Sequence, residues 1–214
     1  MIKIENLNKK FENRYLFSKT NVTFENGKVY ALIGPSGSGK TTLLNILAQL
    51  EPYDDGKIVY HDQPLEKIKS HIYFRNELGY LFQNFGLLES QSIKENLDLG
   101  LIAKKLKKSE KIALEKEVLE MVHLDYLELG QKIYTLSGGE AQRVALAKTI
   151  LKNPSLILAD EPTAALDPVT SEEIMSILLS LRNESRVIII ATHNQSIWER
   201  ADKVIPINTI ANID

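Results

Sequence analysis

The chain has 214 residues, 43% of them hydrophobic and 25% charged, with a formal net charge of -2. That length supports one sizeable core, or a core with a modest lobe, and the slight acidity argues against a general nucleic-acid binder, which needs a basic surplus against phosphates. The absence of cysteine excludes disulfides and thiolate chemistry. No apolar stretch approaches bilayer length, and the opening MIKIENLNKKF lacks the pattern of a signal peptide.

In chain order, residues 2–4 and 22–24 read as short strands, and residues 29–33 as a buried strand running into a glycine-rich turn. Helix-forming residues with apolar spacing follow over 41–50. Residues 51–56 read as a turn and 57–60 as a strand, and Tyr80-Leu81-Phe82 forms a strand end before Gln83. Charged helical sequence then replaces strand signals over 84–136, which predicts an inserted helical lobe. The α/β texture returns with a helix to about residue 152, a strand at 156–159 and a helix from 169 to 182. A strand at 187–191, a short helix and a strand at 204–207 complete it. Near-continuous apolar strands alternating with helices predict an α/β fold with a mainly parallel sheet. The expected division is a core of residues 1–83 and 139–214, with the helical subdomain at 84–138.

The turn after the third strand is Gly34-Pro35-Ser36-Gly37-Ser38-Gly39-Lys40-Thr41, a full G-x-x-x-x-G-K-[ST] phosphate loop. Its glycines let backbone N–H groups turn inward on a polyphosphate, and the following helix adds a positive dipole end. Lys40 is expected on the β- and γ-phosphates and the Thr41 hydroxyl on Mg²⁺.

A second acidic centre closes the strand Leu156-Ile157-Leu158-Ala159-Asp160-Glu161. Carboxylates at the C-terminal edge of a parallel sheet face the ligand crevice. Asp160 is expected to hold Mg²⁺, directly or through water, and Glu161 to act as general base on an attacking water. By themselves Asp160-Glu161-Pro162 also suit a plain loop opening. His193, after Thr192 at another strand end, suits a structural role as well as a hydrogen bond to a γ-phosphate or water. Gln83 suits a surface position as well as an oxygen ligand to Mg²⁺ or water.

Leu136-Ser137-Gly138-Gly139-Glu140-Ala141-Gln142-Arg143 contains a capping box, Ser137 to Glu140, at a helix start. Two glycines inside it remove side chains where another group can approach, as in a second anion site at a helix N-terminus.

With these segments in order, the chain resembles the nucleotide-binding subunits of ATP-binding cassette (ABC) transporters over essentially its whole length. Residues 34–41 match the Walker A loop, Gln83 the glutamine loop and residues 136–140 the LSGGE signature. Residues 156–160 with Glu161 match Walker B, Ala165-Leu166-Asp167 the D-loop and His193 the switch histidine. Phe11 stands where the family places a ring on adenine.

The resemblance implies a P-loop NTPase core with an N-terminal antiparallel β part and an inserted α-helical subdomain. ATP and Mg²⁺ are the implied ligands, and Thr42 joins the nucleotide-binding set. It also implies a head-to-tail dimer in which ATP lies between the Walker A loop of one copy and Ser137, Gly138 and Gly139 of the other. A membrane permease is the further implied partner, received by the helical lobe and residues 84–89 at the cytoplasmic face of the membrane; no nucleic acid is expected. Residues 82–97, FQNFGLLESQSIKENL, are similar to bacteriocin-export ATPases within the macrolide-exporter and lipoprotein-release type. Departures are Lys148 where arginine is common, an apolar Ala164-Ala165 before the D-loop, and a final stretch without glycine. The rival reading is a soluble ABC-type ATPase of DNA repair or the ribosome. Residues 104–108, KKLKK, are its nearest support, although such a run ordinarily forms a solvated helix face.

Overall fold

The computed structural model describes residues 1–12, 14–164 and 166–211. Its strands are β1 (Ile2–Phe11), β2 (Arg14–Phe24), β3 (Val29–Ile33), β4 (Asp55–Tyr60), β5 (Gln63–Pro64), β6 (Leu78–Leu81), β7 (Leu156–Asp160), β8 (Val187–Ala191) and β9 (Lys203–Pro206). The helices are α1 (Lys40–Leu47), α2 (Ser70–Asn76), α3 (Ile93–Gly100), α4 (Lys108–Met121), α5 (Gly138–Lys152), α6 (Pro168–Ser180), α7 (Gln195–Trp198) and α8 (Ile207–Ala211). They fall into two compact units: Met1–Leu78, Ser155–Glu161 and the chain from Arg182 onward form the first, and Gly79–Pro154 with Pro162–Leu181 the second.

The first unit holds two kinds of sheet. β2, β1, β4 and β5 pair antiparallel in that order, with Ile2 opposite both Phe24 and Tyr60. β7, β8, β3 and β9 lie side by side in parallel, with Ile157 opposite Ile188 and Ala31 opposite both Ile190 and Val204. Every residue of β7 and β8 is buried. A parallel strand covered on both faces needs that unbroken apolar sequence. α1 buries Leu43, Leu44, Ile46 and Leu47 and packs on β7 and β8. Each such side chain contributes about 1.5–3 kcal/mol when fully buried.

β1 and β2 run 10 and 11 residues, far beyond the short pieces the sequence predicts. Register shifts after Ile4, Leu7 and Lys9 break the alternation that marks a strand. Asn6 and Lys19 take positive φ, and asparagine side chains meet the displaced backbone: Asn6 N donates to Asn21 Oδ1 at 3.0 Å and Lys19 N to Asn8 Oδ1 at 3.0 Å. Bulges of this kind disguise a strand in the sequence. α1 also ends at Leu47 rather than residue 50, because Gln49 turns to φ 58. β5 and α2 have no counterpart among the predicted elements, since neither is long enough to show a period.

The second unit is helical apart from most of β6. Ile93, Leu97, Leu101, Val118, Leu119, Val144, Ala147 and Leu151 from α3, α4 and α5 meet in one buried cluster. Buried Asn96 is fully engaged: its amide donates to Leu88 O and Ser92 O at 3.1 and 3.0 Å and accepts from Leu88 N at 2.8 Å. α3 and α5 come close enough that a Cβ on Gly100 would lie 2.5 Å from Lys148 O. Among the described residues no helix is long and apolar enough to cross a membrane.

Candidate functional site

The phosphate-loop residues Gly34, Ser36, Gly37, Ser38, Gly39, Lys40, Thr41 and Thr42 join β3 to α1 in the first unit. Gly39 caps α1 at φ 103 with Leu16 and Phe17 against it, a conformation and a space that suit only glycine. Ser36 and Gly37 stand exposed at the crest of the loop. Lys40 is 7% exposed, and its Nζ donates to Gly34 O at 2.7 Å and Pro35 O at 3.1 Å, so the cation sits inside the loop. Ser38 Oγ is buried there without a partner among the described residues. A buried hydroxyl and an ammonium within a glycine-rich turn fit a polyphosphate.

Asp160 ends β7 at 5% exposure and accepts from Thr41 Oγ1 at 3.1 Å. Burial pushes its carboxyl up, Thr41 pulls it down, the neighbouring Glu161 raises it and Lys40 lowers it. A hydroxyl beside a buried carboxylate is an all-oxygen donor set, which fits a hard cation such as Mg²⁺.

Glu161 follows at φ 46, left-handed backbone that a side-chain-bearing residue adopts at a cost. Its N–H donates to Ala191 O at 2.9 Å, which holds that conformation against β8. The carboxylate then reaches two groups: Oε1 lies 3.9 Å from Lys40 Nζ and Oε2 lies 3.0 Å from His193 Nδ1. His193 is 70% exposed at its side chain. With Nδ1 donating to Glu161, the neutral ring presents Nε2 as an acceptor. Phe11 ends β1 in the same unit, 48% exposed, with Lys9 Nζ 4.6 Å from its ring centroid.

The remaining candidates lie in the second unit. Gln83 is exposed in the turn after β6. Ser137 caps α5: Glu140 Oε2 accepts from Ser137 N and Oγ at 2.7 Å each, and Glu140 N donates to Ser137 Oγ at 3.3 Å. Those bonds hold the Glu140 carboxyl below its ordinary value. Gly138 faces Phe85 and Leu166, and a Cβ on Gly139 would meet Thr170 Cγ2 at 2.9 Å. Tyr126, which no motif marks, donates to the other Glu140 oxygen at 2.8 Å. Fourteen residues of separation leave no sequence signal for that contact. Asp167 caps α6 through Val169 N and Thr170 N at 3.1 and 3.0 Å; Ala165 of the D-loop lies outside the described residues.

A profile of the ABC transporter family matches residues 17–164, well over half of the chain. The chain belongs to that family. It is an ABC ATPase, the ATP-binding subunit of a transporter. The cassette is 36% identical over 200 residues to the methionine import ATP-binding protein MetN of Clostridium acetobutylicum, covering 92% of this chain and 62% of that one. It is 36% identical over 212 residues to the ABC transporter ATP-binding protein YvrO of Bacillus subtilis, covering 96% of this chain and 92% of that one. The cassette therefore spans less than two thirds of the methionine relative and nearly all of the Bacillus one. Its fold superposes on the dimeric, post-hydrolysis structure of the cassette MJ0796 bound to ADP and Pi with a TM-score of 0.87, at 32% identity over 96% of this chain and 94% of that one. The MJ0796 sequence is that of Methanocaldococcus jannaschii. These similarities establish the α/β cassette with its antiparallel β part, parallel core sheet and helical subdomain.

Proposed function

We propose that the cassette hydrolyses ATP at a site shared between two copies of itself and so drives a separate membrane permease. The observation that carries this reading is the contact of Glu161 with both His193, at 3.0 Å, and Lys40, at 3.9 Å. A carboxylate oriented by an imidazole beside the phosphate-loop lysine is the arrangement a general base for water requires. Lys40 holds the β- and γ-phosphates, and Phe11 stacks on the adenine through its exposed ring. Thr41 and Asp160 would hold Mg²⁺, for which Gln83 is the further candidate oxygen ligand, and the ion would supply charge neutralisation for phosphoryl transfer. Glu161 takes the proton of the attacking water, while His193 keeps the carboxylate in place through Nδ1 and accepts from water at Nε2.

Ser137, Gly138 and Gly139 of a second copy complete the site, giving a homodimer with ATP at its seam. The dimeric structures of MJ0796, one of them bound to ADP and Pi, support this assembly. The permease sets the substrate and holds the cassette at the cytoplasmic face of the membrane, and no nucleic acid takes part. We read the transport direction as export, of peptide, bacteriocin or drug-like cargo, from residues 82–97. Relatives that import methionine, sulfate or cystine make import the competing direction.

The test is Glu161→Gln. It is expected to keep ATP binding, lower turnover by roughly 10²–10⁴-fold and accumulate as an ATP-bound dimer, because only the general base is lost. Near-normal turnover removes Glu161 from the role, and a strictly monomeric species at saturating ATP rules out the shared site.

A further inference from the structure

We propose that Lys148 is a positioning residue for this ATPase: it straps the turn carrying Gln83 to the helix that begins at Ser137. The inference rests on the roles proposed above for Gln83 and for residues 137–139. Its own support is local to the second unit. Residues 82–86 form a tight turn in which Phe85 N donates to Phe82 O at 3.0 Å and Gly86 N to Asn84 O at 2.8 Å. Phe85 and Gly86 both take left-handed backbone, at φ 65 and 61. A Cβ on Gly86 would lie 2.5 Å from the Phe82 ring, which itself stacks on Tyr80 with centroids 4.0 Å apart.

This turn meets α5 at two points. Phe85 packs on Gly138, with its ring tip 3.7 Å from where a Cβ would stand. Lys148 Nζ donates to Gly86 O at 2.7 Å. The two attachments are ten residues apart on α5, a rise of about 15 Å at 1.5 Å per residue. Held at two adjacent residues from two separate places on α5, the turn resists rotation as well as translation, which one contact cannot secure. The foot of the lysine is equally fixed, because Gly100 of α3 abuts the Lys148 carbonyl.

The strap carries an electrostatic cost. Burial pushes the Lys148 ammonium down to about 8, and burial together with Lys148 pushes Lys152 down to about 8 as well. A half-buried ammonium that donates to the carbonyl of a strained turn contributes geometry at the expense of stability.

The experiment measures steady-state ATPase activity and nucleotide affinity of the intact cassette for Lys148→Met, Lys148→Arg, Gln83→Ala and the Gln83→Ala/Lys148→Met pair. Lys148→Met is expected to bind ATP within about twofold of wild type and to lose about 10- to 100-fold in kcat, the scale on which a misplaced group reduces rate. Lys148→Arg, which still donates, is expected to recover most of that loss. The double variant is expected to be no slower than Gln83→Ala alone, because residues acting through one another are non-additive. Lys148→Leu, which likewise removes the donor, replaces the methionine variant with the same expectation if the latter does not fold. A kcat for Lys148→Met near wild type, equal loss in the arginine and methionine variants, or additive losses in the pair overturns the strap. If Gln83→Ala itself turns over normally, the role of Gln83 fails and the strap fails with it. Impaired Gln83→Ala beside normal Lys148→Met removes the strap alone.

Discussion

Glu161 concentrates the conflict between stability and chemistry in a single residue. Its φ of 46 costs about 1–2 kcal/mol relative to ordinary backbone, and glycine removes that cost. Glu161→Gly is therefore expected to melt at or above the wild-type temperature, offset only by the lost contacts to Lys40 and His193, while turnover collapses. A fall of several degrees in thermal denaturation would show that those contacts outweigh the strain. The residues of this region were legible as motif members: the phosphate loop, Asp160, Glu161 and His193 all stand at strand ends in the sequence, and the first unit brings Lys40, Glu161 and His193 into direct contact. The backbone conformation of Glu161 was not legible, because it is fixed by the hydrogen bond to Ala191, a residue thirty positions away. Nor was the engagement of Glu140 by Tyr126, which depends on how a loop folds back on α5.

At the scale of elements, the helices differ sharply in how well their ends are finished. α3 and α5 each begin with a full capping box, Ser92 with Glu95 and Ser137 with Glu140. α4 begins with Lys107 and Lys108 instead. Glu110 Oε2 accepts from Lys107 N at 2.6 Å, but a lysine ammonium cannot accept from Glu110 N in return, so half of the box is missing. Two cations also oppose the positive end of the helix dipole. Lys107→Asp is accordingly expected to stabilise the protein by about 1 kcal/mol. An unchanged or lower midpoint in urea denaturation would contradict it. The same contrast explains what the sequence reveals about the fold. Elements whose ends and periods are local, such as β3, α1, β7 and β8, are readable to within a few residues. β1 and β2 are not, because their bulges are stabilised by side chains such as Asn8 and Asn21 across the strand pair. β5 and α2 are too short to carry a period at all.

For the molecule as a whole, the half-buried and buried titratable groups set a pH dependence that differs from that of a chain stabilised by surface pairs. Lys148 and Lys152 fall from an ordinary 10.5 to about 8 on folding. Between those values the unfolded chain binds more protons than the folded one, so stability rises with pH across that window. Buried Tyr60, beside Glu77, and buried Tyr73 are shifted the other way, above their ordinary 10.0. The unfolded chain then loses phenolic protons first, and stability falls as pH climbs beyond that value. The two trends place the alkaline maximum near pH 10. Lys148→Met deletes one of the depressed lysines and relieves the charge that Lys152 feels, so its stability is expected to change less between pH 7.5 and 9.5 than that of wild type. The difference is expected to be on the order of 1–2 kcal/mol, since one pKa unit corresponds to about 1.4 kcal/mol and partial solvent contact reduces it. Denaturant midpoints for both proteins at the two pH values measure it directly. Parallel changes would mean that the Lys148 ammonium is as well solvated in the folded protein as in the unfolded chain.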